Sequence, residues 1–321
     1  MQIGVEKRRG EGSNMASKFD LVNVYIKLLS TSIDSDTLNQ SDIKYIVHHI
    51  GRDDFEDAKQ RCLLRIQENG DDALTWALYG LTLMLQANEK DTGEALQKAA
   101  ELDPENLLVM NLMGDYLCFA GKDMEGEDFY YGSLSRDEKQ IHPRKMLYFQ
   151  FMSRNEYLQA LEVVIPALRT SPDDEEIWTS VKTALAMMGS HDYAEEVAES
   201  LTKEFKDHHL AWRCQAHVFL AIKKYTEAES AAKRAIELKK DNGENWNMLG
   251  TILSMVGRTT AAVKCQRKAV KFAPKNGMFW TSLGMALLKA GKQEECKQVI
   301  TRAVRVDPEA ASQLLQHMMK G

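Results

Sequence analysis

Residues 246–250 read WNMLG and residues 280–284 read WTSLG, and the two tryptophans stand 34 residues apart. Trp212 and Trp178 continue the same spacing upstream. A fixed period of this length is typical of one supersecondary unit that is copied along the chain. It predicts a stack of such units, which form extended binding surfaces far more often than catalytic pockets.

Placing each tryptophan at position 4 of a repeat extends the frame over residues 39–310 without insertion. Small residues recur at positions 8 and 20, where they let two antiparallel helices approach closely. Glycine at position 15 of four repeats suits the left-handed conformation that ends a helix. Each repeat is therefore predicted to be a hairpin of two helices, here called helix A and helix B. The eight repeats begin at Asn39, Ala73, Leu107, Ile141, Glu175, His209, Gly243 and Gly277.

These repeats resemble those of the tetratricopeptide repeat family, whose signature is W-x2-L-G-x2-Y, then A-x3-F, then A and P. Segments 246–250 and 280–284 match the opening of that signature. The resemblance covers residues 39–310, although the first repeat lacks both the aromatic residue and the glycine. It implies an all-α fold, a right-handed α-solenoid of about eight 34-residue helix-turn-helix repeats.

The segments outside the repeats are predicted to protect the ends of the array. We expect a disordered tail over residues 1–18 and a capping helix with a linker over 19–38. A second capping helix is expected over residues 311–321. Inside the array, Pro166 falls within a predicted helix B, where the loss of a backbone hydrogen bond should kink the helix.

Composition and charge restrict the class of protein. No run of eighteen apolar residues occurs in the sequence, so membrane insertion is not expected. The five cysteines lie far apart without a CxxC pair, which favours reduced, inert thiols in a reducing compartment. We expect a cytoplasmic protein, with the nucleus as the alternative. The net charge of −6 combines an acidic stretch over 73–208 with a basic one over 209–310.

Catalytic and metal-binding motifs are missing from the sequence. The adjacent pairs His48-His49 and His208-His209 point in different directions on a helix, which is unsuitable for joint metal ligation. No phosphate loop, HExxH motif or nucleophile elbow is present. We therefore expect no catalytic residue, no metal site, no cofactor and no enzymatic activity. The tryptophans are predicted to be core residues because they occupy one repeat position.

The family resemblance implies that positions 2, 5, 9, 12 and 13 of each repeat face a concave groove. The N-terminal part of this groove is apolar and would suit an amphipathic helix or an extended peptide. Alternatively, a helix over residues 19–30 folds back and covers it. The candidate groove residues are Leu74, Leu81, Met84, Asn111, Asp115, Phe119, Lys145, Phe149, Met152, Arg213, His217 and Asn247.

The resemblance also bears on which partners the groove suits. Family members that clamp a chaperone C-terminal tail use an asparagine at position 9, and no repeat here has one. A chaperone tail is therefore not expected as a partner. The function predicted from the sequence is a protein–protein interaction scaffold or adaptor, a subunit of a multiprotein complex that holds a protein or peptide partner in its groove.

A second surface suggests an alternative function. Basic residues of the last three repeats concentrate in helix B, which faces outward, and they could dock an acidic partner or an RNA backbone. Few exposed aromatic residues interleave with them, which makes RNA the less favoured partner. The residues of this candidate basic face are Lys233, Arg234, Arg267, Lys268, Lys271 and Arg302.

Overall fold

The structure is a computed structural model that describes the backbone of residues 13–309 and 311–312 and the side chains from Leu21 onward. The described part is all-α and contains no strand, which confirms the fold class as an α-solenoid of repeats. The helices up to residue 153 are α1 (Ser13–Ser32), α2 (Ser35–Leu38), α3 (Ser41–Ile50), α4 (Phe55–Glu68), α5 (Ala73–Leu85), α6 (Glu89–Leu102), α7 (Leu107–Phe119), α8 (Asp123–Arg136) and α9 (His142–Ser153). The remaining helices are α10 (Tyr157–Val164), α11 (Ala167–Thr170), α12 (Glu175–Met188), α13 (His191–Glu204), α14 (His209–Ala221), α15 (Tyr225–Leu238), α16 (Gly243–Met255), α17 (Thr259–Phe272), α18 (Gly277–Lys289) and α19 (Gln293–Val306).

The helix boundaries follow the 34-residue frame. Helix A begins at position 1 in six repeats, and helix B begins at position 17 in all eight. The chain divides into two compact units, the N-terminal unit of residues 1–150 and the C-terminal unit of residues 151–321. Each unit has its own core of buried apolar residues.

The start of helix A is fixed by a side-chain cap. Asp72, Asn106, Asp174, Asn242 and Asn276 all occupy position 34, and each accepts a hydrogen bond from a backbone N–H in the first turn of the next helix. Such caps satisfy donors that the helix cannot satisfy itself, and each contributes about 1 kcal/mol.

The turn between helices A and B contains one left-handed residue, always at position 15. Four of these residues are the predicted glycines, with φ of +71° to +78°. In the other four repeats the position holds Asp53, Ala87, Asn155 and Lys223, with φ of +60° to +63°. An L-residue pays roughly 1–2 kcal/mol for this conformation. The turn geometry is therefore kept even where the sequence does not favour it.

Glycine at position 8 permits the predicted close contact between helices A and B. A Cβ atom added at Gly114 would lie 2.5 Å from the ring of Tyr130. At Gly80 and Gly250, an added Cβ would lie 2.6 Å from the side chains of Leu96 and Gln266. All three neighbours occupy position 24, so the helices meet where these two positions face each other.

The tryptophans form a hydrogen bond that the periodicity did not predict. In each of the five, the indole N–H donates to the backbone carbonyl oxygen six residues upstream, at 2.7–2.8 Å. The bond ties helix A to the turn that precedes it. Trp178 is buried, which confirms the core prediction, whereas the other four are half-buried and pack against the cores.

The fourth repeat departs from the frame as the sequence indicated. Its helix B is divided into α10 and α11, with Pro166 between them. The predicted kink is confirmed, because proline cannot donate the backbone hydrogen bond that would continue α10.

The segments at the two ends of the repeat array can be compared with the predicted tail and capping helices only in part. Helix α1 begins at Ser13, inside the segment 1–18 that was expected to be a tail. Residues 1–12 lie outside the described residues, as does the expected helix 311–321 apart from Ala311 and Ser312. The predicted linker contains the short helix α2.

Lys223 offers a test of the turn geometry. Replacing it by glycine removes the cost of a left-handed L-residue, and we expect the free energy of unfolding to rise by about 0.5–1 kcal/mol. The matched control is Lys264→Gly in α17, also an exposed lysine, which should lower stability by about 1 kcal/mol. Urea unfolding of both variants measures the difference, and equal destabilisation by the two substitutions would contradict the assigned backbone conformation.

Candidate binding groove

In the N-terminal unit, α1 covers the concave surface of the first repeats. Its residues Val22, Tyr25, Leu28 and Leu29 are at most 3% exposed. They share one apolar core with residues of helix A from three repeats, and α1 packs against α3 and α7. The helix therefore lies on the side of the repeats where the sequence placed the groove.

This arrangement changes the interpretation of several candidate groove residues. Leu81, Asn111 and Asp115 have 0% exposure and cannot contact a partner while α1 is in place. Leu74 and Met84 are partly buried and pack against the same core. The alternative in which the N-terminal helix folds back over the groove is the one that the structure bears out.

A buried polar network lies beside α1, around the carboxylate of Asp115. The Tyr130 hydroxyl donates to Asp115 Oδ1 at 2.7 Å, and His142 Nε2 lies 3.0 Å from both carboxylate oxygens. Tyr25 of α1 is buried beside this carboxylate, and its ring lies 6.3 Å from that of His142. Burial, followed by the negative charge of Asp115, raises the pKa of both tyrosine hydroxyls well above their usual value.

The network depends on the backbone beside it. Because Gly114 has no side chain, the Tyr130 ring can lie against helix α7 and reach the neighbouring Asp115. One turn earlier, the Asn111 side-chain amide donates to Gln140 at 2.7 Å. Asn111 and Asp115 were chosen from the sequence as groove residues, but their hydrogen bonds to Gln140, Tyr130 and His142 could not be read from the repeat period.

Two candidate groove residues of the N-terminal unit remain exposed. Phe119 is 42% exposed and Phe149 is 37% exposed. Lys145 and Met152 are partly buried. An aromatic side chain left in water has apolar area available for a partner.

The C-terminal unit has an open groove with a different lining. Met255 and Met278 are 56% and 67% exposed, and Met285 is partly buried. They border a cavity of about 400 Å³ whose other lining residues include Thr251, Ser254, Thr281, Ser282 and Lys289. All of these residues except Ser282 occupy the repeat positions that the family resemblance assigns to the groove. We call this feature the methionine groove.

A charged cluster lies in the preceding repeats of the same unit. Arg213 is partly buried and faces Glu175 across 3.6 Å. Burial, followed by the positive charges of Lys182 and Arg213, lowers the pKa of His217 to about 3. His217 is therefore neutral at physiological pH. Asn247, the last candidate groove residue, is partly buried, and its side-chain oxygen has no hydrogen-bond partner.

Every residue of the candidate basic face has a local partner. Lys233 and Arg234 form ion pairs with Glu229 and Glu237 at 2.7 and 2.9 Å. Arg267 pairs with Glu295.

The remaining three basic side chains lie on aromatic rings. Lys268 Nζ is 3.7 Å from the ring centre of Trp246, Arg302 Cζ is 5.2 Å from that of Trp280, and Lys271 Nζ is 5.8 Å from that of Phe272. Lys268 and Arg302 occupy position 26 of their repeats, so the repeat itself provides the aromatic partner. All six basic side chains of this face thus have partners within the protein, which the sequence alone did not indicate.

The thiols have the environment of core residues. Four of the five cysteines are buried, Cys118 is partly buried, and all five are unpaired. Burial raises the pKa of the Cys62 and Cys214 thiols to about 12 and that of Cys118 to about 11. A thiol of this kind has little nucleophilic thiolate at neutral pH.

Neither a cluster of potential metal ligands nor a helix that could span a membrane is found among the described residues. No group of three or more histidine, cysteine, aspartate or glutamate side chains among them could hold a metal ion. Nor is any of the helices described here both long enough and apolar enough to cross a bilayer.

Comparison with known proteins places the last two repeats in a family. The tetratricopeptide repeat profile matches residues 243–276 and 279–309, which are the last two repeats of the frame. Among curated protein sequences, no relative matches the chain.

Solved structures are similar in fold. Yeast Tom70 has a TM-score of 0.53 at 13% identity, and the match covers 99% of this chain and 74% of Tom70. A thermophilic TPR protein of Thermus thermophilus, TTC0263, has a TM-score of 0.44 at 16% identity, covering 54% of this chain and 96% of that one. MamA of Desulfovibrio magneticus RS-1 has a TM-score of 0.41 at 18% identity, covering 51% and 93%.

The pKa of His217 predicts how the C-terminal unit responds to acid. The pKa is lowered on folding, so the neutral form contributes stability that is present above pH 6.5 and is lost as the pH falls towards 3. In His217→Gln this loss should be smaller.

Urea unfolding followed by tryptophan fluorescence measures the effect, because four of the five tryptophans lie in the C-terminal unit. His191→Gln, which alters an exposed histidine on α13, is the control. If His191→Gln and His217→Gln show the same pH dependence, the assigned environment of His217 is wrong.

Proposed function

Because this chain is a tetratricopeptide repeat protein, we propose that it is an interaction scaffold that holds a helical segment of a partner protein in the methionine groove. The observation that carries the proposal is the exposure of Met255 and Met278 in the concave surface of the last two repeats. Repeat arrays use such concave surfaces for binding.

The chemistry of the groove favours an apolar partner surface. Thioether side chains are flexible and polarizable, so they adapt to partners of different shape. Covering exposed apolar area contributes roughly 25 cal/mol per Å² before the costs of association are subtracted. The methionine side chains of the groove would thus adapt to the shape of an apolar partner surface, and its hydroxyl groups and Lys289 would supply polar contacts.

A helix suits this lining better than an extended peptide. An extended segment needs partners for its backbone N–H and C=O groups along its whole length, and the three thioethers of the lining donate no hydrogen bonds. A helix satisfies those groups internally and presents side chains only, as in other helix-in-groove interfaces. We therefore assign an amphipathic helix, with apolar residues at a spacing of three and four, as the ligand class.

The other candidate groove residues have supporting roles in this proposal. Arg213 and Asn247 precede the methionine groove at position 5 of their repeats and would set the register of a longer ligand. Phe119 and Phe149 would act as apolar anchors in the N-terminal unit. The protein would then act as an adaptor or as a subunit of a larger complex.

The double variant Met255→Glu, Met278→Glu tests the proposal. Two carboxylates in the groove would have to be desolvated on binding, and we expect at least a tenfold loss of affinity. Met124→Glu is the matched control because Met124 is 71% exposed on α8, outside the groove. The measurement is quantitative mass spectrometry of proteins that co-purify with the wild-type chain and with each variant.

A second readout places the partner on the groove itself. With ¹³C-labelled methionine methyl groups, a recovered partner should shift the resonances of Met255, Met278 and Met285 and leave that of Met124 unchanged. The proposal fails if the groove variant retains every partner of the wild type, or if the Met124 variant loses the same ones.

A further inference from the structure

The groove of the N-terminal unit, which α1 covers, indicates a second kind of ligand. Helix α1 belongs to no repeat hairpin, and it packs against helices α3 and α7 of separate repeats. It is connected to the array only through residues 33–40. Helix α1 packs on the repeats as a ligand would lie in a groove, because the hairpins form their own contacts between helices A and B without it.

The contacts of α1 define the pattern that the groove accepts. Val22, Tyr25 and Leu29 are buried at a spacing of three and then four residues, which places them on one face of the helix. On the opposite face, Val24 is 45% exposed. The buried face meets the concave positions of helix A, where Leu81 and Leu108 are covered.

Asp115 makes this groove selective. Position 9 of the preceding repeat is Leu81, which packs well in the same core, so the carboxylate is not needed for packing. A buried carboxylate is unfavourable unless it is hydrogen-bonded, and replacing such groups by apolar ones often stabilises a protein. Two of its hydrogen-bond partners, Tyr130 and His142, come from the repeats themselves, and Tyr25 of α1 is buried beside it. The repeats thus hold a carboxylate in place that accepts the hydroxyl of an incoming tyrosine.

We propose that the groove over the first three repeats is a second helix-binding site, and that α1 is its resident ligand. The partner that fits is an amphipathic helix with an apolar residue, a tyrosine three residues later and a leucine four residues after that. Such a helix replaces α1 by making the same contacts to the carboxylate of Asp115. This site is separate from the methionine groove, and either proposal can fail without the other.

The test uses a fluorescent peptide of residues 13–32 as the probe and the full chain as the receptor. In the Leu29→Asp chain, the tethered helix is weakened because a carboxylate replaces a side chain with 0% exposure. We expect this chain to bind the peptide at least tenfold more tightly than the wild-type chain, in which α1 competes at high effective concentration.

Two peptide variants distinguish a tyrosine-specific site from nonspecific apolar binding. The Tyr25→Phe peptide lacks the hydroxyl that Asp115 accepts and should bind the Leu29→Asp chain about tenfold more weakly. The Val24→Ala peptide changes an exposed residue and should bind like the unmodified peptide.

Circular dichroism verifies that the repeats of the Leu29→Asp chain remain folded. If they unfold, Tyr25→Ala is used as the milder receptor variant. As an independent measurement, excess peptide added to the wild-type chain should accelerate hydrogen exchange in α1 while α5–α8 stay protected. The proposal is overturned if a folded receptor variant binds the peptide no better than the wild-type chain does, or if the Tyr25→Phe peptide binds equally well.

Discussion

The packing of position 8 of helix A against position 24 of helix B is the constraint on which the rest of the structure depends. Where position 8 is glycine, position 24 is large, as in Gly80 with Leu96 and Gly114 with Tyr130. In the fifth repeat the sizes are reversed, with Lys182 at position 8 and Ala198 at position 24. The two positions share one volume, and close packing leaves no alternative to this exchange. The exchange lets the fifth repeat keep the frame despite the lysine at position 8.

The same two positions give individual repeats their own chemistry. In most repeats the position-24 side chain only fills space, but in the third repeat it is Tyr130, which carries a hydroxyl to Asp115. A packing position thereby creates a polar site in an otherwise apolar groove. The groove of the N-terminal unit contains that site and its internal helix, whereas the groove of the C-terminal unit is lined by methionine and is open. One repeat type thus provides two grooves with different linings.

The regular part of the fold could be predicted from the sequence because it repeats. The starts of helix B and the left-handed turns at four glycines follow from periodic residues, and the break at Pro166 follows from the missing backbone N–H of proline. The occupation of the N-terminal groove could not be decided in the same way. Whether α1 covers the repeats depends on long-range contacts such as that between Tyr25 and Asp115, which leave no periodic signal. The candidate site was predictable to a similar extent: the frame selects inward positions, but Leu81, which is covered, and Met278, which is open, carry the same signal in the sequence.

Methionine footprinting with dilute peroxide tests most directly whether one groove is filled and the other is open. In the wild-type chain, Met278 should be oxidised rapidly and Met84, which packs against the core that contains α1, slowly. In Leu29→Asp, oxidation of Met84 should accelerate severalfold while that of Met278 is unchanged. Equal rates for Met84 and Met278 in the wild-type chain would contradict the account.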